Sequence, residues 1–152
     1  MKSFVHHFSV IHRQSAINIE RRLKKLGLPY GQYMYILCIC DNKVLSQEKL
    51  SCELQIDKGS VARTVKQLEQ SGYITRRVSN EDKRQNLIKP TEKAFMLYGE
   101  IISTINEYEK CLTKDLSDIE KNVLTGLLTK LIDNLEACGT KRGPRPAAAT
   151  GN

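Results

Sequence analysis

The chain changes its hydrophobic period near its centre, and this change constrains the fold more than any other feature. Residues 58–71 repeat apolar side chains at helical spacing, between Asp57, a favourable N-cap, and Gly72, a helix stop. Residues 74–78 then alternate, and residues 86–89 predict a return strand. We therefore expect an α-helix followed directly by a β-hairpin.

Helical spacing also predicts three elements before this unit. Residues 3–26 carry apolar side chains at intervals of three and four, and residues 30–41 are apolar nearly all round, which is typical of a short buried helix. Ser46 is a favourable N-cap for a third helix over residues 47–54. Two short helices, a turn and a helix with a polar face have the order of a helix-turn-helix motif, to which the hairpin adds a wing.

Two long helices are predicted after the hairpin. Thr91 caps the first, and Ser117 with Glu120 forms a capping box at the start of the second. The second helix carries a stripe of leucines that exceeds what a domain of this size needs for its own core. We therefore expect a dimer interface there, and an intramolecular bundle is the alternative. The leucines are Leu124, Leu127, Leu128, Leu131 and Leu135.

Basic charge is concentrated on the central unit. The net charge is +7, and residues 57–90 contribute eight Lys and Arg against four Asp and Glu, whereas residues 91–140 carry five against nine. This asymmetry favours a polyanion-binding face, although a solvated basic surface would have the same composition. An α-helix fits the major groove of DNA, and a basic loop suits the negative minor groove. The DNA-contacting residues predicted on this basis are Lys58, Ser60, Arg63, Thr64, Lys66, Gln67, Arg76, Arg77, Lys83 and Arg84.

Several of these side chains have individual roles. Arg63 can bond guanine in bidentate fashion, and Gln67 can read adenine. Lys58 and Ser60, near the helix N-terminus, suit phosphate contacts. Asp82 would face the same polyanion as its basic neighbours in the hairpin tip, so we expect it to fix the tip by an ion pair with one of them.

A set of motifs in the central unit resembles that of a known family. It comprises residues 57–74, Arg76-Arg77, the wing sequence Glu81-Asp82-Lys83-Arg84 and the helix start Thr91-Glu92-Lys93-Ala94. With this set the chain resembles the multiple antibiotic resistance regulator (MarR) family. The resemblance implies a triangular homodimer with interleaved terminal helices and two winged helix-turn-helix lobes. It also implies a repressor that is released by a small phenolic or lipophilic effector, or by oxidation.

Two departures from the family pattern bear on this resemblance. Pro90 stands where the family usually has Leu, which affects the corner between strand and helix rather than the fold. Family members that sense peroxides use a Cys near the start of the first helix, and this chain has none before Cys38. Cys38 and Cys40 lie in an apolar segment, where burial disfavours the reactive thiolate. We therefore expect release by a small ligand rather than by oxidation.

An effector pocket is expected where the dimerisation helices meet the DNA-binding lobe. Phe8, His12, Tyr33 and Met34 are the candidate lining residues, although such side chains more often belong to a core. His7 and His12 do not share a helix face, and the odd set of five cysteines lacks a C-x-x-C pair, so we expect no metal or other cofactor. No catalytic constellation is evident, so the chain is not expected to be an enzyme.

The expected fold class is mainly α with a small β-hairpin wing. Residues 1–138 form a single unit, with dimerisation helices over 4–26 and 95–138 and a winged helix-turn-helix lobe over 30–90. Residues 139–152 lack periodicity and are expected to be a flexible tail or an expression remnant. The sequence has neither a membrane-length apolar run nor a signal-peptide pattern, which predicts a cytoplasmic protein.

These features predict a homodimeric, sequence-specific regulator of transcription that binds double-stranded DNA at an imperfect palindrome. Three alternatives remain: a redox-sensing repressor that uses a cysteine, an architectural DNA-binding protein without an effector, and a protein-interaction module. The basic residues of the helix and hairpin argue against the last of these.

Overall fold

The computed structural model describes residues 3–29, 31–78 and 86–137, which form six α-helices and three short β-strands. The helices are α1 (Phe4–Leu23), α2 (Gln32–Asn42), α3 (Gln47–Leu54), α4 (Lys58–Gln70), α5 (Glu92–Leu112) and α6 (Asp118–Ala137). The strands are β1 (Leu45–Ser46), β2 (Ile74–Val78) and β3 (Asn86–Pro90), and a short 3₁₀ helix, Lys24–Leu26, follows α1. The expected fold class, mainly α with a small β wing, is confirmed. The predicted hairpin tip and the C-terminal tail lie outside the described residues.

Side-chain caps fix the start of four helices at the positions that the sequence predicts. Ser46, Asp57 and Thr91 each accept a hydrogen bond from the backbone N–H three residues later, at 3.1, 2.8 and 3.4 Å. The Ser117 backbone N–H donates to the Glu120 carboxylate (2.8 Å), and the Glu120 N–H donates to the Ser117 hydroxyl (3.3 Å). Each cap satisfies a backbone N–H that the helix itself leaves unpaired.

The wing contains a third strand that the sequence pattern does not predict. β1 pairs antiparallel with β3, which also pairs with β2, so the strand order is β1-β3-β2. The predicted hairpin of β2 and β3 is confirmed, and β1 adds a third strand to it. β1 has two residues, too few for a visible alternation, and its Leu45 lies buried opposite Ile88.

Pro90 is accommodated at the end of β3, and hydrogen bonds hold the corner between β3 and α5. Pro90 lies opposite Ile74, and the next residue, Thr91, donates its backbone N–H to the Tyr73 carbonyl (2.9 Å). The Thr91 hydroxyl donates to the Gly72 carbonyl (2.8 Å). Because Pro lacks an N–H, Thr91 supplies the bond that closes the sheet.

A single core lies between α2, α3, α4, α5 and the wing. Its members are apolar side chains from every one of these elements, and they hold α4 by its apolar stripe. The largest fully buried members are Ile36, Ile39, Leu50, Val61, Val65, Leu68, Ile74, Ile88 and Ile101.

The outer helices contribute little to this core. Leu23 is the buried residue of α1, which packs on α5, and the Tyr108 hydroxyl of α5 donates to the Ser15 hydroxyl of α1 (2.8 Å). α6 is not packed into a bundle within the described part of the chain. Large exposed apolar side chains of α1 and α6 are Phe4, Val5, Phe8, Ile11, Ile17, Ile119, Val123, Leu124, Leu127, Ile132 and Leu135. Among the described residues, no helical segment combines the length and the hydropathy that a membrane span needs.

Candidate nucleic-acid interface

α4 follows α3 after a short turn and presents a polar face to solvent. The turn begins at Gln55, whose φ of +56° reverses the chain direction in the left-handed region. With its apolar stripe in the core, α4 exposes Arg63 and Lys66, and leaves Ser60 and Thr64 half-buried. An anchored helix with an exposed basic face is the geometry that a major-groove reading helix requires.

The first turn of α4 positions Arg63. The Asp57 carboxylate accepts the Ser60 backbone N–H (2.8 Å), and the Ser60 hydroxyl accepts a hydrogen bond from Nη2 of Arg63 (3.0 Å). Hydrogen bonding by Ser60 lowers the pKa of the Asp57 carboxyl. A guanidinium has five N–H donors, so most of those of Arg63 stay available to a base edge.

Lys58 is engaged by an acidic residue of α3. Its Nζ lies 2.7 Å from Oε1 of Glu48, and both side chains are largely exposed. This hydrogen bond and the attraction of the two charges lower the pKa of Glu48 and raise that of Lys58. The Glu48 carboxylate already contacts the Lys58 ammonium group. A DNA phosphate that binds Lys58 would therefore have to displace this carboxylate or lie next to it.

Gln67 is also engaged within the chain. Its Oε1 accepts a hydrogen bond from Nε2 of Gln32, the first residue of α2, at 3.0 Å. Bidentate reading of adenine requires the carbonyl as well as the amino group of a Gln. Because the carbonyl is turned toward α2, the geometry does not favour the adenine contact that the sequence suggests for Gln67.

The two described arginines of β2, Arg76 and Arg77, differ in their contacts. The guanidinium of Arg76 donates two hydrogen bonds to the Glu69 carboxylate of α4, one of them from Nε at 2.8 Å. Hydrogen bonding by Arg76 lowers the pKa of Glu69. Arg76 therefore ties β2 to α4, whereas Arg77 forms no ion pair with another described residue. The remaining predicted wing residues, Asp82, Lys83 and Arg84, lie outside the described residues.

Comparison with known proteins identifies the family. The model of the MarR family matches residues 28–85. An uncharacterized HTH-type transcriptional regulator of Bacillus subtilis, YybA, is 30% identical over 122 residues, covering 80% of each chain. The organic hydroperoxide resistance transcriptional regulator of the same species is 33% identical over 110 residues, covering 70% of this chain and 75% of that protein. The chain belongs to the MarR family of transcriptional regulators.

Solved structures of MarR proteins share the whole fold. A putative MarR family regulator from Listeria monocytogenes, crystallised with a 26mer DNA, matches with a TM-score of 0.84 and 33% identity, over 95% of this chain and 100% of that chain. A MarR protein from Peptoclostridium difficile matches with a TM-score of 0.84 and 28% identity, over 90% of each chain. The winged helix-turn-helix expected from the sequence is thus confirmed.

A shallow cleft lies where the first helix of this MarR-family chain meets α2. It is open to solvent and has room for about one water molecule between its walls. The lining residues are Glu20, Leu23, Leu28, Pro29, Gly31 and Tyr33.

Of the four residues predicted to bind an effector, Tyr33 lines this cleft. Met34 is exposed on α2, with 44% of its surface accessible. Phe8 and His12 are also exposed, and they lie on the N-terminal half of α1. At a rise of about 1.5 Å per residue, they lie roughly 12–22 Å along the helix from the cleft-lining residues Glu20 and Leu23. The single chain therefore does not bring the four residues together.

The cysteines of α2 lie in a protected setting. The thiol of Cys38 donates to Oε2 of Glu53 (3.0 Å), which also accepts from the Asn42 amide (2.9 Å). Burial, aided by Glu53, raises the pKa of Cys38 to about 12, and burial raises that of Cys40 to about 11. Both thiols are therefore protonated at neutral pH, as their apolar segment suggests. In the described residues no group of three or more His, Cys, Asp or Glu is placed to hold a metal ion.

Proposed function

We propose that this MarR-family chain is a homodimeric repressor that binds double-stranded DNA at an imperfect palindrome and leaves it when a small phenolic or lipophilic effector binds. The observation that carries this proposal is the exposed Arg63 guanidinium, which Ser60 orients on a helix whose other face is buried in the core. An Arg in this position suits the two acceptors of guanine in the major groove. The complex of the Listeria relative with a 26mer DNA supports the assignment of the partner.

The exposed apolar faces of α1 and α6 support the homodimer. Side chains such as Phe4, Ile11 and Leu127 leave between 52 and 60% of their surface accessible in the single chain. Many large exposed apolar side chains along two helices are typical of a surface that a partner covers. A second copy would bury both faces and place two α4 helices on one side of a twofold axis, which matches an operator with two related half-sites. This arrangement would also leave residues 30–90 as the DNA-binding lobe.

The basic residues of the interface supply the sequence-independent part of the affinity. Lys58, Lys66 and Arg77 are exposed on α4 and β2 and would contact phosphates, and Lys83 and Arg84 are proposed to extend this contact from the wing tip. An ion pair with Asp82 is proposed to fix that tip. A regulator that acts on the chromosome would work in the cytoplasm, and the proposal requires no catalytic activity.

The test is a competition experiment with DNA from the regions flanking the gene for this protein. Labelled fragments are titrated with the protein, and fluorescence anisotropy gives the affinity in the presence of random-sequence competitor. We expect the operator to be preferred roughly 10³-fold or more over random DNA, with half-site centres roughly 10 base pairs apart. Equal affinity for all fragments would support the architectural alternative instead.

The effector arm of the proposal uses the same assay. Small phenols such as salicylate are added to the complex, and release is followed by anisotropy. A ligand can release DNA only if it binds a conformation that differs from the DNA-bound one, so release should saturate with ligand concentration. The cleft that Tyr33 and Leu23 line, between α1 and α2, is the place where a ligand could act on the position of α2.

A further inference from the structure

Gln32 is the buried polar side chain of the described core. Only 7% of its surface is accessible, although its neighbours in α2 are largely apolar. Its Nε2 donates to Oε1 of Gln67, on α4, at 3.0 Å. A buried amide without partners is costly, so burial itself favours this hydrogen bond strongly over alternatives in which the Gln32 amide is unpaired.

In the structure this bond turns the Gln67 carbonyl toward Gln32. The terminal torsion of a free Gln is broad, so an unrestrained side chain can offer either its carbonyl or its amino group to a neighbour. In this chain the carbonyl of Gln67 is turned inward to Gln32, which leaves its –NH₂ group for the exposed side of α4. Gln67 thus presents a hydrogen-bond donor to whatever lies against α4.

We propose that Gln32 is a positioning residue for base readout: it holds Gln67 as a donor, so that the base facing Gln67 in each half-site is preferentially guanine rather than adenine. Guanine offers two acceptors, N7 and O6, to one donor group, whereas adenine pairs well only with a Gln that offers its carbonyl too. The inference rests on the proposed DNA-binding function of α4. It replaces the adenine contact that the residue type alone suggests.

The experiment measures base preference position by position. The affinities of the wild-type protein and of Gln32→Met are determined for operators that carry each of the four bases at every half-site position. In the wild type one position should prefer guanine over adenine roughly threefold to tenfold, the size of one net hydrogen bond. In Gln32→Met this preference should fall to about twofold or less, because the Gln67 amide is then free to rotate.

Two further variants separate positioning from structure. Gln67→Glu keeps an acceptor for Gln32 but removes the donor, so the same position should change its preference toward cytosine, whose amino group donates to a carboxylate. Arg63→Ala is the matched control, since it should change preference at a different position and leave this one intact. A structural role for Gln32 would lower affinity for all operators, or the melting temperature, without altering base preference.

The free protein provides a test that does not involve DNA. In NMR spectra of the wild type, the side-chain amide protons of Gln32 should exchange with solvent at least tenfold more slowly than those of exposed glutamines. Fast exchange would overturn the inference while leaving the proposed function intact, and so would an unchanged guanine preference in Gln32→Met. Absence of sequence-specific binding by the wild type would overturn the proposed function, and this inference with it.

Discussion

Truncating Leu124 tests whether the leucine stripe of α6 forms the dimer interface. The side chain lies in that stripe and leaves 42% of its surface accessible in the single chain. If a second chain covers the accessible part of the Leu124 side chain, Leu124→Ala removes apolar contact that exists only in the dimer. Folding of the single chain should be little affected, because none of the side chains described on α6, over residues 118–135, is buried.

The expected effect follows from that exposed fraction. Complete burial of a leucine contributes about 1.5–3 kcal/mol, so covering the remaining 42% contributes about 0.6–1.3 kcal/mol per chain. A twofold interface contains each substitution twice, which gives about 1–2.5 kcal/mol per dimer. The dissociation constant of the dimer should therefore rise roughly 5- to 60-fold.

Sedimentation equilibrium over a wide range of protein concentrations measures this constant. Asn122→Ala is the matched control: Asn122 is exposed on the same helix, about 160° around from Leu124, and its removal should leave the dimer unchanged. Operator affinity should fall with the dimer population in Leu124→Ala. A dissociation constant within twofold of wild type, in a protein that is dimeric, would refute the assignment of the stripe to the interface.

Three more predictions concern the DNA-binding lobe and the cysteines. Arg63→Ala should weaken operator binding by about 1–3 kcal/mol and relax base preference at one position per half-site; unchanged preference in the anisotropy titrations would contradict the reading role of α4. Glu48→Gln should strengthen binding to all sequences and steepen the dependence of log affinity on log salt by about one, because it frees the Lys58 ammonium from its carboxylate partner. A weaker or salt-independent complex would count against this. Iodoacetamide at about pH 8 should leave Cys38 and Cys40 unlabelled in the folded protein, since their pKa values are raised to about 12 and about 11. Rapid labelling of either thiol, detected by mass spectrometry, would reopen the redox alternative.

Local signals account for the parts of the fold that the sequence predicts. Ser46, Asp57 and Thr91 lie at helix starts because a short polar side chain can satisfy the free N–H groups of the first turn, and this depends on neighbouring residues alone. The buried stripe of α4 likewise follows from its 3.6-residue period. β1 is not predicted, because a two-residue strand is defined by its pairing with β3 and is too short to show an alternating pattern of its own.

Residue type predicts which side chains belong to the candidate site, but it does not predict which other side chains of the fold they contact. By residue type Arg76 and Lys58 both suit a DNA contact, whereas in the structure Glu69 engages the Arg76 guanidinium and Glu48 engages the Lys58 ammonium group. Gln67 is bonded by a residue 35 positions away in sequence. The residue type of a basic or polar side chain predicts which ligand the side chain can bind. Whether the side chain is available to that ligand depends on neighbours that only the fold brings close to it.

Three hydrogen bonds between elements converge on α2, and this convergence bears on how DNA could be released. Near its C-terminal end, Asp41 accepts a hydrogen bond from the Tyr98 hydroxyl of α5 (2.6 Å), and Asn42 donates to Glu53 of α3 (2.9 Å). At its first residue, Gln32 bonds Gln67 of α4. α2 thus connects a helix proposed to extend into the dimer interface with both helices of the DNA-binding motif. Gly31 and Tyr33, the neighbours of Gln32, both line the cleft between α1 and α2. The proposed effector, if it bound there and preferred another position of α2, would therefore act on the contact with α4.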